Sequence, residues 1–264
     1  DRGINGGLTN NFALGNDIDA SATSAWNAGA GFTPLSSFSG NFDGLGHDIS
    51  FLKIATPTLF RLSSGLFGDN NGQVANVSLS NISNSDSTAW YSGTLVGTNG
   101  GLIKNIFANS GNITSTLADS HASIGGVVGQ NTSGFTIKTI WSNVSVSGGD
   151  SAKVGGVVGD NLGILDTVVN TGSVTGGNNS FVGGIAGQNY STNYIQGNNT
   201  HAIITNAFAN GAITAGSNSD IGGLIGLDVH STLSNALATG VLLGPDNSHR
   251  YGSIAGISNP GSHT

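Results

Sequence analysis

The chain contains no cysteine and no glutamate, and proline is scarce, with four residues among 264. Without cysteine there is no disulfide, so packing and hydrogen bonding have to stabilise the fold. The absence of thiols is also compatible with export through an oxidising compartment. Lysine and arginine together number seven and are scattered along the chain. This excludes the basic patch that binding to nucleic acid or to an anionic membrane surface would need.

Long apolar segments are also missing. No run approaches the roughly 18 apolar residues of a membrane-spanning helix, and the first residues lack the basic and apolar segments of a signal peptide. We therefore expect no membrane insertion, and we interpret the sequence as a fragment of a mature protein.

The residues that are abundant favour β-structure. Glycine contributes 44 residues, and 37% of the chain is hydrophobic, mainly valine, isoleucine, leucine and alanine in short, regular clusters. Strong helix formers are rare or absent, whereas β-branched residues are common. This composition predicts an all-β fold with many tight turns rather than a disordered chain.

A glycine-flanked aliphatic segment recurs along the chain. Gly125-Gly126-Val127-Val128-Gly129 and Gly155-Gly156-Val157-Val158-Gly159 are two copies of it. Consecutive copies are 28 to 32 residues apart, except for one spacing of 39 residues after Gly187. Such a period is typical of solenoids, in which each repeat buries its apolar side against the next one. The last glycines of the seven copies are Gly68, Gly97, Gly129, Gly159, Gly187, Gly226 and Gly256.

A second element follows each glycine segment, as in Ile103-Lys104-Asn105-Ile106-Phe107-Ala108. A short third strand comes after it, which predicts three β segments per repeat. The element has a column of Asn76, Asn105, Asn206 and Asn235, with Thr139 and Asp166 as replacements. These side chains form either a hydrogen-bonded ladder or ordinary turns. Trp141 falls in the same column as Phe107 and Phe208, which favours core packing for it.

Together these patterns predict a right-handed parallel β-helix, that is, a β-solenoid of about 30-residue repeats. We expect one domain over residues 1–264, with divergent coils in 1–64 and regular repeats in 65–264. Eight to ten coils would form a rod on the order of 40–50 Å long. The rival folds are a glycine-rich β-propeller and a β-sandwich. A calcium-binding repeat is excluded, because aliphatic residues and not aspartate follow the paired glycines.

The repeat resembles the GLUG motif, in which paired glycines and aliphatic residues precede an Asn-x-Gly-x-Ile segment. Thr98-Asn99-Gly100-Gly101-Leu102-Ile103 and Asp160-Asn161-Leu162-Gly163-Ile164 carry the second half of the motif. Near the N-terminus, 11–20 and 38–49 add to the likeness, which extends over nearly the whole chain. The pattern is similar to the β-helical regions of filamentous-haemagglutinin-like exoproteins, and similar repeats occur outside the catalytic part of some surface proteases.

This resemblance implies a secreted adhesin segment at the bacterial cell surface. It also implies secretion by the two-partner route through an outer-membrane transporter. The partner on the target side would be a glycan or a protein of a host surface or matrix. A purely structural spacer of a large surface protein is an open alternative.

A polysaccharide-active enzyme is another alternative, because many pectin-degrading enzymes are β-helices. Glycoside hydrolysis needs two carboxylates across the scissile bond, and the candidate pairs are Asp17 with Asp19 and Asp43 with Asp48. The Gly-His-Gly and Arg-x-Lys motifs of such enzymes are missing, so we expect these carboxylates to stabilise turns. No metal-binding histidine motif and no phosphate-binding loop occurs, and we therefore expect no metal and no cofactor.

Binding is the favoured hypothesis, because loops that depart from a regular scaffold often carry function. Three segments depart from the repeat: the insertion after Gly187, the loop near Asp86, and the segment 246–251. Their aromatic, amide and basic side chains are suited to glycan recognition. The predicted binding residues are Trp90, Tyr91, Tyr190, Tyr194, Asn198, His201, Arg250 and Tyr251.

Overall fold

The chain folds into a parallel β-solenoid of about eight coils, as a computed structural model of residues 7–55, 63–191, 201–245 and 250–259 shows. Three parallel sheets, called A, B and C and defined by their strands below, form the sides of the solenoid. Each regular coil passes through sheet C, then sheet B, then sheet A. The paired strands of all three sheets are parallel, and each pairs with a strand about one repeat away. The predicted parallel β-solenoid is thereby confirmed, while its right-handed winding stays a prediction.

Sheets B and C each contain seven strands among the described residues. The strands of sheet C are Ser63–Ser64, Tyr91–Ser92, Ser123–Gly125, Lys153–Gly155, Phe181–Gly183, Asp220–Gly222 and Arg250–Gly252. The strands of sheet B are Phe67–Asn70, Val96–Asn99, Val128–Asn131, Val158–Asn161, Ala186–Tyr190, Ile225–Val229 and Ala255–Asn259.

Sheet A is the largest, with 15 strands among the described residues. Its main path follows Asn11–Ala13, Asn41–Asp43, Gln73–Ser80, Leu102–Ser115, Thr136–Ser147, Ile164–Asn170, Ile203–Ala209 and Thr232–Ala238. The other strands are Ile18–Asp19, Asp48–Ser50, Lys53–Ile54, Ile82–Asp86, Val174–Gly176, Ile213–Ala215 and Leu242–Leu243. Two 3-10 helices span Gly7–Thr9 and Ser21–Ala25. In the described segments, no helix is long and apolar enough to span a membrane.

The coils pair with one another at the predicted repeat length. Val96 pairs with Val128, which pairs with Val158 on the next coil. The long spacing after Gly187 is absorbed between two neighbouring strands, because Ala186 still pairs with Ile225. The early strand Asn41–Asp43 also pairs with sheet A of the regular coils. The proposed division at residues 64 and 65 stays a prediction.

The glycine-flanked segment is a bend between two strands and not one strand. A regular coil has four strands where sheet A is interrupted, as at Ile164–Asn170 and Val174–Gly176, and the predicted three where one long strand spans sheet A, as at Thr136–Ser147. In one coil Gly125 ends the strand of sheet C, and Val128 begins the strand of sheet B. The backbones of successive bends pack closely here: a Cβ on Gly126 would lie 2.2 Å from the carbonyl oxygen of Gly156. Only glycine permits this approach, which explains why the paired glycines recur.

The core consists of aliphatic columns inside the coil. On sheet A, equivalent positions of successive coils are buried, and their side chains stack upon one another. Each column combines the burial of apolar surface with backbone hydrogen bonding between coils. One such column contains Val74, Ile103, Ile137, Leu165, Ile204 and Leu233.

The column of Trp141 points outward, so the prediction of core packing for Trp141 is wrong. The side chain of Trp141 is 49% exposed and that of Phe107 is 46% exposed, whereas the preceding Ile140 is 2% exposed. The reason lies at Thr139, whose φ of 56° turns the chain at a corner. The corner directs both Ile137 and Ile140 inward, although they are three residues apart, and Trp141 then faces solvent.

The column of Asn76, Asn105, Asn206 and Asn235, here called the outer asparagine column, lies at a corner of the coil and also forms hydrogen bonds from coil to coil. Asn76 and Asn105 have positive φ, and the Nδ2 of Asn105 donates to the Oδ1 of Asn76 over 2.8 Å. The Asn235 amide likewise donates to Asn206 over 3.1 Å. The position predicted for Asp166 is wrong by one residue, because Thr167 has the positive φ and lies in the column. The Asp166 carboxylate instead accepts a hydrogen bond from Asn206.

Candidate functional site

The loop before Trp90 is organised by one buried carboxylate. Asp86 is 4% exposed, and its Oδ1 accepts the backbone N–H groups of Thr88 (2.7 Å) and Ala89 (2.9 Å). Its Oδ2 accepts the Ser92 hydroxyl over 3.0 Å. These bonds form a turn of the type that aspartate side chains commonly stabilise. They fix Trp90 directly before the sheet C strand Tyr91–Ser92, and Tyr91 at its start.

The next coil brings a second group of side chains beside Trp90. The backbone carbonyl of Trp90 accepts the N–H of Ser123 over 2.7 Å, which sets the two coils in register. The imidazole of His121 stacks on the indole of Trp90, with ring centroids 4.8 Å apart and ring planes 20° apart. The Tyr91 ring packs edge-on against Trp90 at 6.5 Å. We call Trp90, Tyr91, Asp119 and His121 the Trp90 patch.

Asp119 holds the imidazole in position. Its Oδ1 lies 2.9 Å from the backbone nitrogen of His121 and 2.8 Å from the imidazole Nδ1. The hydrogen bond from that backbone N–H is the largest cause that lowers the pKa of Asp119 below its ordinary value of 3.8. The imidazole and the Trp90 side chain lower this pKa further, and partial desolvation opposes them. Asp119 is therefore a carboxylate at neutral pH.

A polar cluster supports the Tyr91 side of the patch. Burial raises the pKa of Tyr91, the Asp160 carboxylate raises it further, and a hydrogen bond with Gln130 opposes both. Asp160 is 5% exposed, and its Oδ2 lies 3.3 Å from both the Lys153 ammonium and the Gln130 amide. Asp160 is thus paired within the protein through Oδ2, while its buried Oδ1 has no hydrogen-bond partner. The exposed carboxylate of this region is that of Asp119.

The patch has the chemistry of a small binding surface. The indole, the imidazole and the phenol ring offer partly apolar faces, and the partly exposed Asp119 carboxylate offers a hydrogen-bonding group beside them. The sequence predicted Trp90 and Tyr91 but missed Asp119 and His121. The repeat period was the signal that could have found them, because about 30 residues separate side chains on neighbouring coils.

The other predicted binding residues lie away from the Trp90 patch. Arg250 is in the same column of sheet C as Tyr91 but five strands away, which is about 24 Å. Its Nε donates to the Oδ1 of Asp220 over 2.9 Å, and the neighbouring Tyr251 is 47% exposed. Tyr190 ends a strand of sheet B and is 36% exposed.

The insertion after Gly187 is only partly described. The Nδ1 of His201 lies 3.4 Å from the carbonyl oxygen of His230 on the next coil. Tyr194 and Asn198 lie outside the described residues. The predicted residues of the insertion and of the 250–251 segment therefore stay predictions, and the described ones do not join Trp90 and Tyr91 in one site.

The aspartates considered for catalysis take part in turns and ladders. The Oδ1 of Asp17 accepts the backbone N–H of Asp48 over 3.0 Å, and the Oδ1 of Asp19 accepts that of Ser21 over 2.9 Å. The Oδ1 of Asp43 accepts the backbone N–H of Leu45. These backbone bonds lower the pKa of Asp17 and of Asp19; for Asp43, a bond from the Asn76 amide is the larger cause. Within the described ranges, no three potential metal ligands cluster.

Comparisons with known proteins support the fold and leave the family open. No protein-family model matches the chain. In an alignment of 153 positions that covers 56% of the chain, it is 37% identical to Halomucin of Haloquadratum walsbyi (strain DSM 16790 / HBSQ001), and the match spans about 2% of that relative's length. The crystal structure of a candidate immunoglobulin A1 protease from Bacteroides ovatus superposes with a TM-score of 0.65. The match covers 93% of this chain and 76% of that one, at 21% identity, so it supports the β-solenoid fold alone.

Proposed function

We propose that this chain is a non-catalytic segment of a secreted adhesin at the cell surface. In this proposal the β-solenoid is a stiff frame that presents the Trp90 patch to a glycan of a host surface or matrix. The observation that supports this proposal most directly is the stack of the Trp90 and His121 rings, whose centroids are 4.8 Å apart and in which Asp119 holds the imidazole. Aromatic faces with a few convergent polar groups are common in ligand sites, and a preformed site loses little freedom on binding.

The adhesin class rests on the repeat and on the comparisons. The GLUG-like segments resemble those of filamentous-haemagglutinin-like exoproteins, and we extend the proposal to secretion through an outer-membrane transporter. The name Halomucin likens that relative to a mucin. A surface location for the present chain agrees with that likeness.

The lowered carboxylate pKa values favour binding over hydrolysis. A glycosidase needs a carboxylic acid whose pKa is raised, so that it can protonate the leaving group. Hydrogen bonds lower the pKa of Asp17, Asp19, Asp43 and Asp119. We therefore propose that the segment does not turn over its ligand.

A glycan array tests the proposal directly. The unchanged chain should bind a defined subset of glycans, and Trp90→Ala should abolish this binding because the stacking platform is lost. Trp26→Ala is the matched control, since Trp26 is 50% exposed and packs near Phe32 in the first coils. Tyr190→Ala tests the insertion in parallel.

Each outcome has a distinct meaning. Loss of binding in Trp90→Ala alone supports the Trp90 patch, whereas loss in Tyr190→Ala alone places the site at the insertion and contradicts the proposal. The absence of binding by the unchanged chain would favour the spacer function. Release of reducing ends from a bound polysaccharide would favour the alternative that the chain is a polysaccharide-active enzyme.

A further inference from the structure

Two of the five described cationic side chains have no acceptor. The Lys53 ammonium donates to a backbone carbonyl over 2.6 Å, while Lys153 and Arg250 pair with aspartates. Among the described residues, Lys104 and Lys138 form no hydrogen bond and no ion pair. The chain has a net charge of −7, and among its described cations these two are the ones whose charge is not already used in a contact within the protein.

The two lysines are direct neighbours on sheet A. Lys104 pairs in register with Lys138, so their Cα atoms are about 4.8 Å apart on adjacent parallel strands. Both side chains point outward. Like charges in directly opposite positions destabilise a sheet. An anion between the two ammonium groups would remove this repulsion.

Acidic side chains flank the lysine pair, but among the described residues neither lysine forms an ion pair with them. Asp166 is in register with Lys138, but its Oδ1 accepts hydrogen bonds from Asn206 (2.8 Å) and Thr167 (3.1 Å). Asp43 lies two coils before Lys104 in the same column, and the Lys104 charge contributes only the smallest of the causes that lower the pKa of Asp43. The positive charge is thus confined to two coils. A bound anionic group therefore has to be small, such as a single carboxylate.

Exposed aromatic rings lie beside the lysines on the same two strands. Phe107 and Trp141 are in register, about half-exposed, and three residues beyond Lys104 and Lys138. Between the lysine and aromatic columns runs the outer asparagine column. A notch of about 380 Å³ opens between that column and the Phe107 ring, a volume in the range of small-ligand sites. Its lining combines amide, hydroxyl and aromatic groups from Gly46, Asn76, Val77, Ser78, Asn105, Phe107 and Thr139.

We propose that this face of sheet A binds an acidic polysaccharide through its carboxylated sugars. A sugar carboxylate would lie between Lys104 and Lys138, and the apolar face of the ring would pack on Trp141 or Phe107. Hydroxyl groups would bond to the polar wall of the notch. Two cations are too few for nucleic acid, which needs many phosphate contacts. This site is on a different sheet from the Trp90 patch and does not depend on it.

Binding to polygalacturonate, a linear polymer of carboxylated sugars, tests the proposal. The unchanged chain should bind it, and added salt should weaken the binding. Lys138→Gln and Lys104→Gln should each weaken binding about tenfold or more, because a hydrogen bond to a charged group is lost. Lys53→Gln removes the same charge elsewhere and should leave binding unchanged. Trp141→Ala should also weaken it, whereas Trp90→Ala should not.

Two further probes separate sugar recognition from simple charge. Fully methyl-esterified polygalacturonate keeps the sugar rings without the charges, and polyglutamate keeps carboxylates without sugars. The proposal expects weak binding to both. Equal binding of polyglutamate, indifference to the lysine changes, or no binding to polygalacturonate would each overturn it. Unchanged circular dichroism of the variants would exclude misfolding as the cause of any loss.

Discussion

Buried asparagines inside the coil form a ladder that runs from one coil to the next. Each amide donates to the side-chain oxygen of the following coil over 2.8–3.0 Å. All the asparagines in it are 0% exposed, and the last acceptor, an aspartate, is 1% exposed. Burying a polar side chain without a hydrogen-bond partner is unfavourable, so buried amides occur where their hydrogen bonds are satisfied. The members are Asn70, Asn99, Asn131, Asn161, Asn189 and Asp228.

Removal of one buried amide should destabilise the protein measurably. Asn131→Ala deletes a donor to Asn161 and an acceptor for Asn99, and we expect it to lower the free energy of unfolding by about 1–3 kcal/mol. Asn143→Ala is the control, because the Asn143 side chain also donates one hydrogen bond (3.2 Å) and accepts one (3.1 Å), but both are exposed. Urea denaturation measures both. Equal midpoints for the two variants would contradict a stabilising ladder.

The carboxyl group of Asp119 should titrate below pH 3.8, which carbon-detected NMR can follow. Because the folded pKa lies below the unfolded value, the stabilisation is present above about pH 3.8 and is lost as the pH falls through the folded pKa. His121→Ala should raise this pKa only partway towards 3.8, since the larger cause, the backbone N–H of residue 121, remains. A pKa that does not change in His121→Ala would refute the imidazole contact.

At the scale of the strands, the glycine bends determine how closely the coils pack. From Gly97 onward, the last glycine of each bend lies against the sheet C strand of the preceding coil. A Cβ on Gly159 would be 2.4 Å from the backbone nitrogen of Ile124 and 2.6 Å from the carbonyl carbon of Ser123. Backbone atoms cannot rotate away as a flexible side chain can, so a methyl group here would force two coils apart.

Gly159→Ala should therefore lower the free energy of unfolding by about 1–3 kcal/mol, the usual cost of overpacking. Gly15→Ala is the matched control, because its Cβ would meet no atom within 4 Å. We expect that control to stay within about 0.5 kcal/mol of the unchanged protein. Thermal unfolding of both variants measures the difference. A neutral Gly159→Ala would show that the coils can separate at little cost.

The sequence predicts the order and register of the strands better than the direction of their side chains. A period of about 30 residues is enough to align Val128 with Val158, because each coil repeats the same path. The outward direction of Trp141 depends on the positive φ of Thr139, and threonine seldom indicates such a corner. The contact of His121 with Trp90 requires exact knowledge of how long each turn is, which composition does not provide.

At the scale of the whole molecule, the described coils form a rod whose sheets carry different candidate binding sites. Sheet C carries the Trp90 patch, and sheet A carries the lysine pair with its aromatic neighbours. Contacts in the rod are made mostly between adjacent coils, so each coil depends on its neighbours for stability. Two independent sites on one stiff frame could raise avidity for a long polysaccharide if it can reach both.

Stability should decrease along the rod towards the last described coil. The inner side chains Ala238 and Ile254 are only partly buried, whereas their counterparts one coil earlier, Ala209 and Leu224 respectively, are almost fully buried. Within the described residues, the strand Thr232–Ala238 pairs on one side only, but Ile164–Asn170 pairs on both. Local opening requires less free energy where fewer buried contacts are lost.

Hydrogen exchange followed by mass spectrometry measures this gradient in the unchanged chain. Amides of Thr232–Ala238 should exchange at least about tenfold faster than those of Ile164–Asn170, since each 1.4 kcal/mol of opening free energy is a factor of ten. The strand Thr136–Ser147, also paired on both sides, serves as an internal reference. Equal protection of all three strands would contradict coil-by-coil stability, and would mean that the solenoid opens as a single cooperative unit.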